Sequence, residues 1–85
     1  MNFHGVKLKE NGISFGMIVV HESVLLDDQE TAQMQGYGKK VFGPISIILM
    51  AYDHNGSPIY RGRRDIIKLL PNLNLKSVAL TEYTV

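Results

Sequence analysis

The clearest pattern in the sequence is an alternation of apolar and polar residues that reverses at an Asn-Gly pair. Val6 and Leu8 alternate with lysines, which is typical of a half-buried strand. Asn11-Gly12 follows, a dipeptide that readily adopts the positive φ angles of a two-residue hairpin turn. Residues 13–20 then become apolar on both faces. The pattern predicts a β-hairpin with a returning strand that is covered on both sides.

A second hairpin is predicted in the middle of the chain. Residues 45–52 are apolar except for Ser46, as expected for a central strand that is buried on both faces. The turn is predicted at residues 53–57. Pro58 cannot donate a hydrogen bond to a neighbouring strand, so the return strand is expected to be short or to lie at an edge. The apolar run is far shorter than the ~20 residues that span a bilayer, and we expect no membrane association.

Helical periodicity is clearest after this hairpin. Four apolar residues there have the i, i+3, i+4, i+7 spacing of an amphipathic helix: Ile66, Leu69, Leu70 and Leu73. Pro71 disfavours a helical conformation at the residue before it, so the regular part is expected to end near Leu70. Residues 75–85 are rich in β-branched and aromatic residues, which predicts a C-terminal strand.

The segment between the two hairpins has no single interpretation. Asp27 and Glu30 have the spacing of a capping box with Asp as the capping residue, which favours a helix over about 28–35 that Gly36 would stop. The apolar face of such a helix would consist of Ala32 and Met34 only, so the helix would be weak. A long loop is the alternative, and loops of this length are often functional.

These elements predict one domain over residues 1–85, of the α+β class. We expect a small, mainly antiparallel sheet or partly open barrel of about five strands, in two hairpins plus a C-terminal strand. One short helix near residues 63–70 would cover one face of the sheet. Because the central strands are apolar on both faces, we expect a second copy to cover the other, in a homodimer. The C-terminal strand is a further edge at which two copies would pair.

Composition narrows the class of protein. The chain has 85 residues and no cysteine, which excludes disulfides and thiolate metal sites. Its first residues carry charges and lack the apolar segment of a signal peptide, so we expect a cytoplasmic protein. A formal net charge of +1 gives no general attraction to nucleic acids or anionic lipids.

No motif for catalysis or cofactor binding is complete. The glycines of "GYGKKVFGP", residues 36–44, match neither the P-loop nor the dinucleotide fingerprint, and we interpret the segment as a flexible turn. His21-Glu22 starts like a zincin motif, but Leu25 stands where the second histidine belongs. The acidic residues of the 22–30 stretch are explained most simply as lying near a helix N-terminus. We predict no catalytic residue, no metal ligand and no cofactor.

Arg61, Arg63 and Arg64, the arginine cluster, stand at the start of the predicted helix. Cations at a helix N-terminus are unfavourable unless something negative lies beside them. The negative partner would be internal, either Asp65 or the 22–30 stretch, or an external phosphate or carboxylate. We favour internal pairing.

Three functions remain. The leading one is a small non-catalytic binding or interaction module that acts as a homodimer and makes contact through residues 21–43 and the arginine cluster. The alternative is binding of an anion, a nucleotide or a nucleic acid. It would use the cations Arg61, Arg63, Arg64, Lys39 and Lys40, with Tyr37, Phe42 and Tyr60 as interaction residues that stack on bases. The third, a small metal-assisted hydrolase using His21 and the acidic stretch, is the least favoured.

Overall fold

The computed structural model describes residues 1–72 and 78–85, which form a five-stranded sheet with helices on both sides. The strands are β1 (Asn2–Glu10), β2 (Ile13–Val19), β3 (Ser46–Tyr52), β4 (Pro58–Arg61) and β5 (Thr81–Thr84). The helices are α1 (Glu22–Leu25), α2 (Asp28–Phe42) and α3 (Arg64–Ile67), and a 3₁₀ helix, Leu70–Asn72, follows α3. The α+β class is confirmed.

The sheet is open, with the strand order β4-β3-β2-β1-β5. The two hairpins, β1–β2 and β3–β4, are antiparallel, and β5 pairs antiparallel with β1. The hairpins meet where β2 and β3 run parallel, because α1 and α2 carry the chain back across the sheet. The sheet is therefore mixed and does not close into a barrel.

Both predicted turns form for the expected local reasons. Asn11 and Gly12 have φ angles of 54° and 80°, as a tight hairpin turn requires. In the second turn the Asp53 carboxylate accepts hydrogen bonds from the backbone N–H groups of Asn55 and Ser57, both at 2.9 Å. Pro58 begins β4, a four-residue edge strand, as predicted.

The segment between the hairpins is where the sequence-based prediction is most incomplete. A helix begins at Asp28 as predicted, with the Asp27 carboxylate accepting the Glu30 N–H at 2.9 Å. It does not stop at Gly36, however, and continues through Phe42 to a cap at Gly43, so the interpretation of 36–44 as a turn is wrong for residues 36–42. The reason is that half of the apolar face lies beyond Gly36, in Tyr37, Val41 and Phe42.

Helix α2 packs on one face of the sheet and closes the larger apolar cluster. The buried members of that cluster are Phe3, Ile18, Met34, Ile47 and Leu49. Gly38 lies where the helix comes nearest to the sheet: a Cβ there would be 2.8 Å from methyl carbons of both Ile18 and Ile47. A glycine at this position lets the helix and the sheet approach each other.

The opposite face holds a second cluster around α3. Ile66 and Leu70 pack there against Phe15 of β2 and Ile48 of β3, and all four are almost completely buried. The predicted short helix near 63–70 is thus confirmed. Of the predicted C-terminal strand, Thr81–Thr84 is observed, whereas residues 73–77 lie outside the described residues.

The central strands are therefore covered on both faces within one chain. Phe15 and Ile48 on one face, and Ile18 and Leu49 on the other, are 0% exposed. The premise that one face needs a second copy is wrong, because α2 is a long helix and not a weak one. The homodimer itself stays a prediction. None of the helices in residues 1–72 and 78–85 is long and apolar enough to cross a membrane.

Candidate functional site

A surface depression of about 400 Å³ lies where the second half of α2 faces the start of β3 and the end of β4. Its walls come from three separate parts of the sequence. The lining residues are Gln35, Lys39, Ser46, Ile47, Gly62 and Arg63. The volume falls in the range of sites that hold small molecules. Two of the cations singled out in the sequence, Lys39 and Arg63, meet here.

Gly62 positions Arg63 beside the depression. Its φ angle is 152°, and a Cβ there would lie 2.5 Å from Cδ1 of Ile48 and 3.2 Å from the carbonyl oxygen of Ile47. The backbone after β4 therefore passes directly against β3, which only a residue without a side chain allows. Arg63 consequently stands next to Ser46, the first residue of β3.

The guanidinium of Arg63 is held in a fixed orientation by two neighbours. Its Nε donates to Oδ1 of Asp65 at 3.1 Å and its Nη2 donates to Oδ2 of the same carboxylate. Its Nη1 donates to Oγ of Ser46 at 3.2 Å. The hydrogen bonds from Arg63 lower the pKa of the Asp65 carboxyl below its ordinary value. An orientation fixed in this way reduces the entropy cost of binding a ligand.

The lining is cationic and polar. Lys39 and Arg63 bring two cationic groups, of which Arg63 is already paired with Asp65 outside the lining, and none of the described lining residues is acidic. Gln35 and Ser46 add uncharged polar groups, although the Gln35 amide already donates to the Ile47 carbonyl at 3.4 Å. An ammonium and a guanidinium group that line one hollow, with a hydroxyl beside the guanidinium, suit an oxyanion, because hydrogen bonds between charged groups are the stronger ones.

Arg61 lies two residues from Arg63 but makes structural contacts with α1 and α2. Its Nη1 donates to the carbonyl oxygen of Leu25 at 2.9 Å and to Oγ1 of Thr31 at 3.1 Å, and its Nη2 donates to the carboxylate of Asp28. These contacts fasten β4 to α1 and α2. Asp28 of the acidic stretch is therefore an internal partner of Arg61, and Asp65 is the internal partner of Arg63.

Replacing Arg61 by alanine is expected to lower the free energy of unfolding by about 1–3 kcal/mol, because two partly buried acceptors lose a charged donor. Asp28→Asn is the matched control. The Asp28 side chain is 91% exposed, so its loss is expected to cost about 0–1 kcal/mol. Urea denaturation of both variants measures the difference. Equal losses would contradict the view that the Leu25 and Thr31 contacts dominate.

The remaining cations do not line the depression. Lys40 lies on α2 with its Nζ 5.7 Å from the centre of the Tyr37 ring, and Arg64 is an exposed first residue of α3. Of the five cations considered in the sequence, the depression therefore unites Lys39 and Arg63.

The three aromatic residues considered as interaction residues lie on two sides of the sheet. Tyr37 and Phe42 pack in the cluster beneath α2, where Phe42 meets Tyr83 edge-on at 5.1 Å. Tyr60 packs in the cluster around α3, and its burial raises the pKa of its hydroxyl. The three rings do not form one surface on which successive bases could stack.

His21 serves as a cap in this structure. Its Nδ1 lies 3.2 Å from the backbone N–H of Ser23 and 2.9 Å from the Ser23 hydroxyl, at the start of α1. Asp27 similarly caps α2, as the interpretation of the acidic stretch as a helix N-terminus predicts. Within the described ranges no three His, Asp or Glu side chains are grouped so that they could hold a metal ion.

Comparison of the chain with protein-family models, with curated proteins and with solved structures found no match. The sequence drew attention to Lys39 and Arg63 through their charge but missed Gln35, Ser46 and Gly62. One signal was present for Ser46, which is the one polar residue in the apolar run of residues 45–52.

Proposed function

We propose that this protein binds a small phosphorylated ligand in the depression between Lys39 and Arg63. The observation that carries the proposal is the convergence of these two cations, 24 positions apart by their residue numbers, on one hollow without a described acidic lining residue. The arginine is held in place by Asp65 and Ser46. Lys39 adds a second cationic group to the lining.

Two charged donor groups favour a phosphate monoester over a single carboxylate, because the phosphoryl group offers three acceptor oxygens. The depression suits one small molecule better than a nucleic acid strand. A strand needs a row of phosphate contacts and a stacking surface, whereas Arg61 is engaged with α1 and α2, and Tyr60 lies on the other side of the sheet from Tyr37. Binding without catalysis is proposed, since the described lining residues include no carboxylate or imidazole.

Ligand binding is favoured over an interaction module, because both faces of the central strands are buried within one chain. The absence of cysteine supports the cytoplasmic location that forms part of the proposal.

Titration with inorganic phosphate at low ionic strength, followed by backbone amide chemical shifts, tests the proposal. We expect saturable shifts at the amides of Ser46 and Gly62, with a Kd on the order of 1 mM for this minimal ligand. Lys39→Ala and Arg63→Ala should each weaken binding about tenfold or more, since each removes a charged hydrogen-bond donor.

The chain offers matched controls for both substitutions. Lys40→Ala and Arg64→Ala remove an exposed cation one position away from each binding residue, and should change the affinity by no more than about twofold. A sodium chloride titration at the same ionic strength separates binding from screening. Absence of saturable shifts in the parent protein would refute the proposal, and so would equal losses in the binding and control variants.

A further inference from the structure

Strand β5 ends the sheet on the side of β1. Within the described part of the chain β5 pairs with β1 alone, and three of its four residues are exposed. Thr81–Thr84 contains neither proline nor lysine, the residues with which proteins commonly protect an edge strand from pairing with another strand. Among the described residues nothing pairs with the outer edge of β5, so this edge is available to an additional strand.

The hydrogen bonds at the chain ends determine which backbone groups of β5 point outward. The Val85 N–H donates to the Met1 carbonyl and the Met1 amino group donates to the Val85 carbonyl, both at 2.8 Å. In an antiparallel ladder the N–H and C=O of one residue point to the same side, and successive residues alternate. Val85 and Tyr83 therefore direct these groups to β1, whereas Glu82 and Thr84 direct theirs away from the sheet.

We infer that two copies of this chain pair antiparallel through β5, with Tyr83 opposite Tyr83 at the centre. A two-fold axis perpendicular to the sheet pairs each residue with one on the same face. The centres that bring Glu82 or Thr84 opposite a residue of β5 are Glu82, Tyr83 and Thr84. A centre at Glu82 opposes two carboxylates directly. A centre at Thr84 places Glu82 opposite no residue of β5, which spans Thr81–Thr84, so only Thr84 forms backbone hydrogen bonds across the axis.

The Tyr83 centre avoids both faults. It places Glu82 of each copy opposite Thr84 of the other, and the outward groups of these two residues form four backbone hydrogen bonds across the axis. On the face covered by α2 it brings two tyrosine rings together. Each ring already packs against the rings of Phe3 and Phe42, with distances of 5.7 Å and 5.1 Å between the ring centres. Aromatic pairs facing each other across two strands are favourable.

The resulting contact is small. A junction of two short strands buries less than the roughly 1,200 Å² typical of stable interfaces, so we expect a weak dimer with a Kd of roughly 100 μM. This inference is independent of the phosphate proposal, because it depends on β5 and the depression does not involve that strand.

Sedimentation equilibrium at protein concentrations of about 10 μM to 1 mM tests the inference. The parent protein is compared with two variants that carry opposite charges at position 84. Thr84→Glu places a carboxylate opposite Glu82 twice per dimer and should weaken association roughly tenfold or more. Thr84→Lys, its matched partner, should leave association unchanged or strengthen it by a few fold. Both variants lose the same 2.9 Å hydrogen bond to Asn2, so a difference between them reports the pairing.

The double variant Glu82→Lys, Thr84→Glu is expected to restore association, because it exchanges the two partners without changing the register. The side chain of Glu82 is 56% exposed and meets His4 at 3.4 Å, so the change does not disturb the core. Circular dichroism shows whether each variant is folded. A parent protein that is monomeric at about 1 mM overturns the inference, and so does equal association of the Thr84→Glu and Thr84→Lys variants.

Discussion

Replacing Gly38 by valine is expected to lower the free energy of unfolding by about 3 kcal/mol or more. The Cβ alone would lie 2.8 Å from methyl carbons of Ile18 and Ile47, and the two added methyl groups have no free volume to occupy. Either α2 moves away from the sheet or the side chains of β2 and β3 leave their preferred rotamers. A domain of this length has a total stability of only about 4–13 kcal/mol, so the loss is a large share of it.

Gly36→Val is the matched control, because it makes the same change two residues earlier in the same helix. Nothing lies within 4 Å of a Cβ at that position, and valine and glycine differ by only about 0.5 kcal/mol in helix propensity. We expect a change of less than about 1 kcal/mol in urea denaturation. Similar losses at the two positions would show that α2 does not approach the sheet at Gly38.

Replacing Ile66 by alanine is expected to cost about 2–5 kcal/mol. Ile66 is 0% exposed and packs against Phe15 and Ile48 beneath the four-residue helix α3. A helix of one turn has little stability of its own, so this packing is what holds it on the sheet. Because Arg63 directly precedes α3, the same substitution should also weaken phosphate binding.

Ile67→Ala provides the control for this prediction. Ile67 is the next residue of α3 and has the same side chain, but it is only partly buried, so we expect its loss to cost about 1 kcal/mol. Chemical denaturation gives both free energies, and phosphate titration of the two variants compares their affinities. A larger effect at residue 67 would mean that α3 is rotated relative to the structure described above.

The features that the sequence predicts well are local. Asn11-Gly12 and the Asp53–Ser57 turn specify their hairpins through backbone conformation and nearby hydrogen bonds, which depend on a few adjacent residues. The beginning of α2 is local in the same way, because Asp27 caps it. The end of α2 is not, because Gly36 and Gly38 lower helix propensity while Gly38 is required by contact with β2 and β3. The sequence alone does not show this requirement, because it arises from the packing of the helix against the sheet.

The candidate site shows a similar division. In the sequence, positive charge makes Lys39 and Arg63 candidate binding residues, but it makes Arg61, Arg64 and Lys40 equally good candidates. Which of these cations line the depression depends on where β4 ends, since Gly62 turns the backbone with a φ of 152° immediately after Arg61. Arg61 therefore lies beneath α1 and α2, whereas Arg63 reaches Ser46. No pattern in a single sequence encodes that bend.

The sequence correctly predicts that the central strands are buried on both faces. It does not predict the full length of α2, the helix that covers one of these faces. Residues 45–52 and 13–20 indicated burial on both faces, and both faces are buried. A helix that ends at Gly36 has too little apolar surface to cover this face, whereas α2 continues to Phe42 and adds Tyr37, Val41 and Phe42. The second copy expected from the sequence is therefore not needed to cover the sheet.

The parallel contact between β2 and β3 has a consequence for how the chain folds. Each hairpin closes over a short turn, so each can form within microseconds. The sheet becomes continuous only when β2 and β3 meet, and that meeting closes a loop which contains all of α1 and α2. Loop closure of this length carries an entropy cost before any contact compensates for it, so we expect the union of the hairpins to limit the rate of folding.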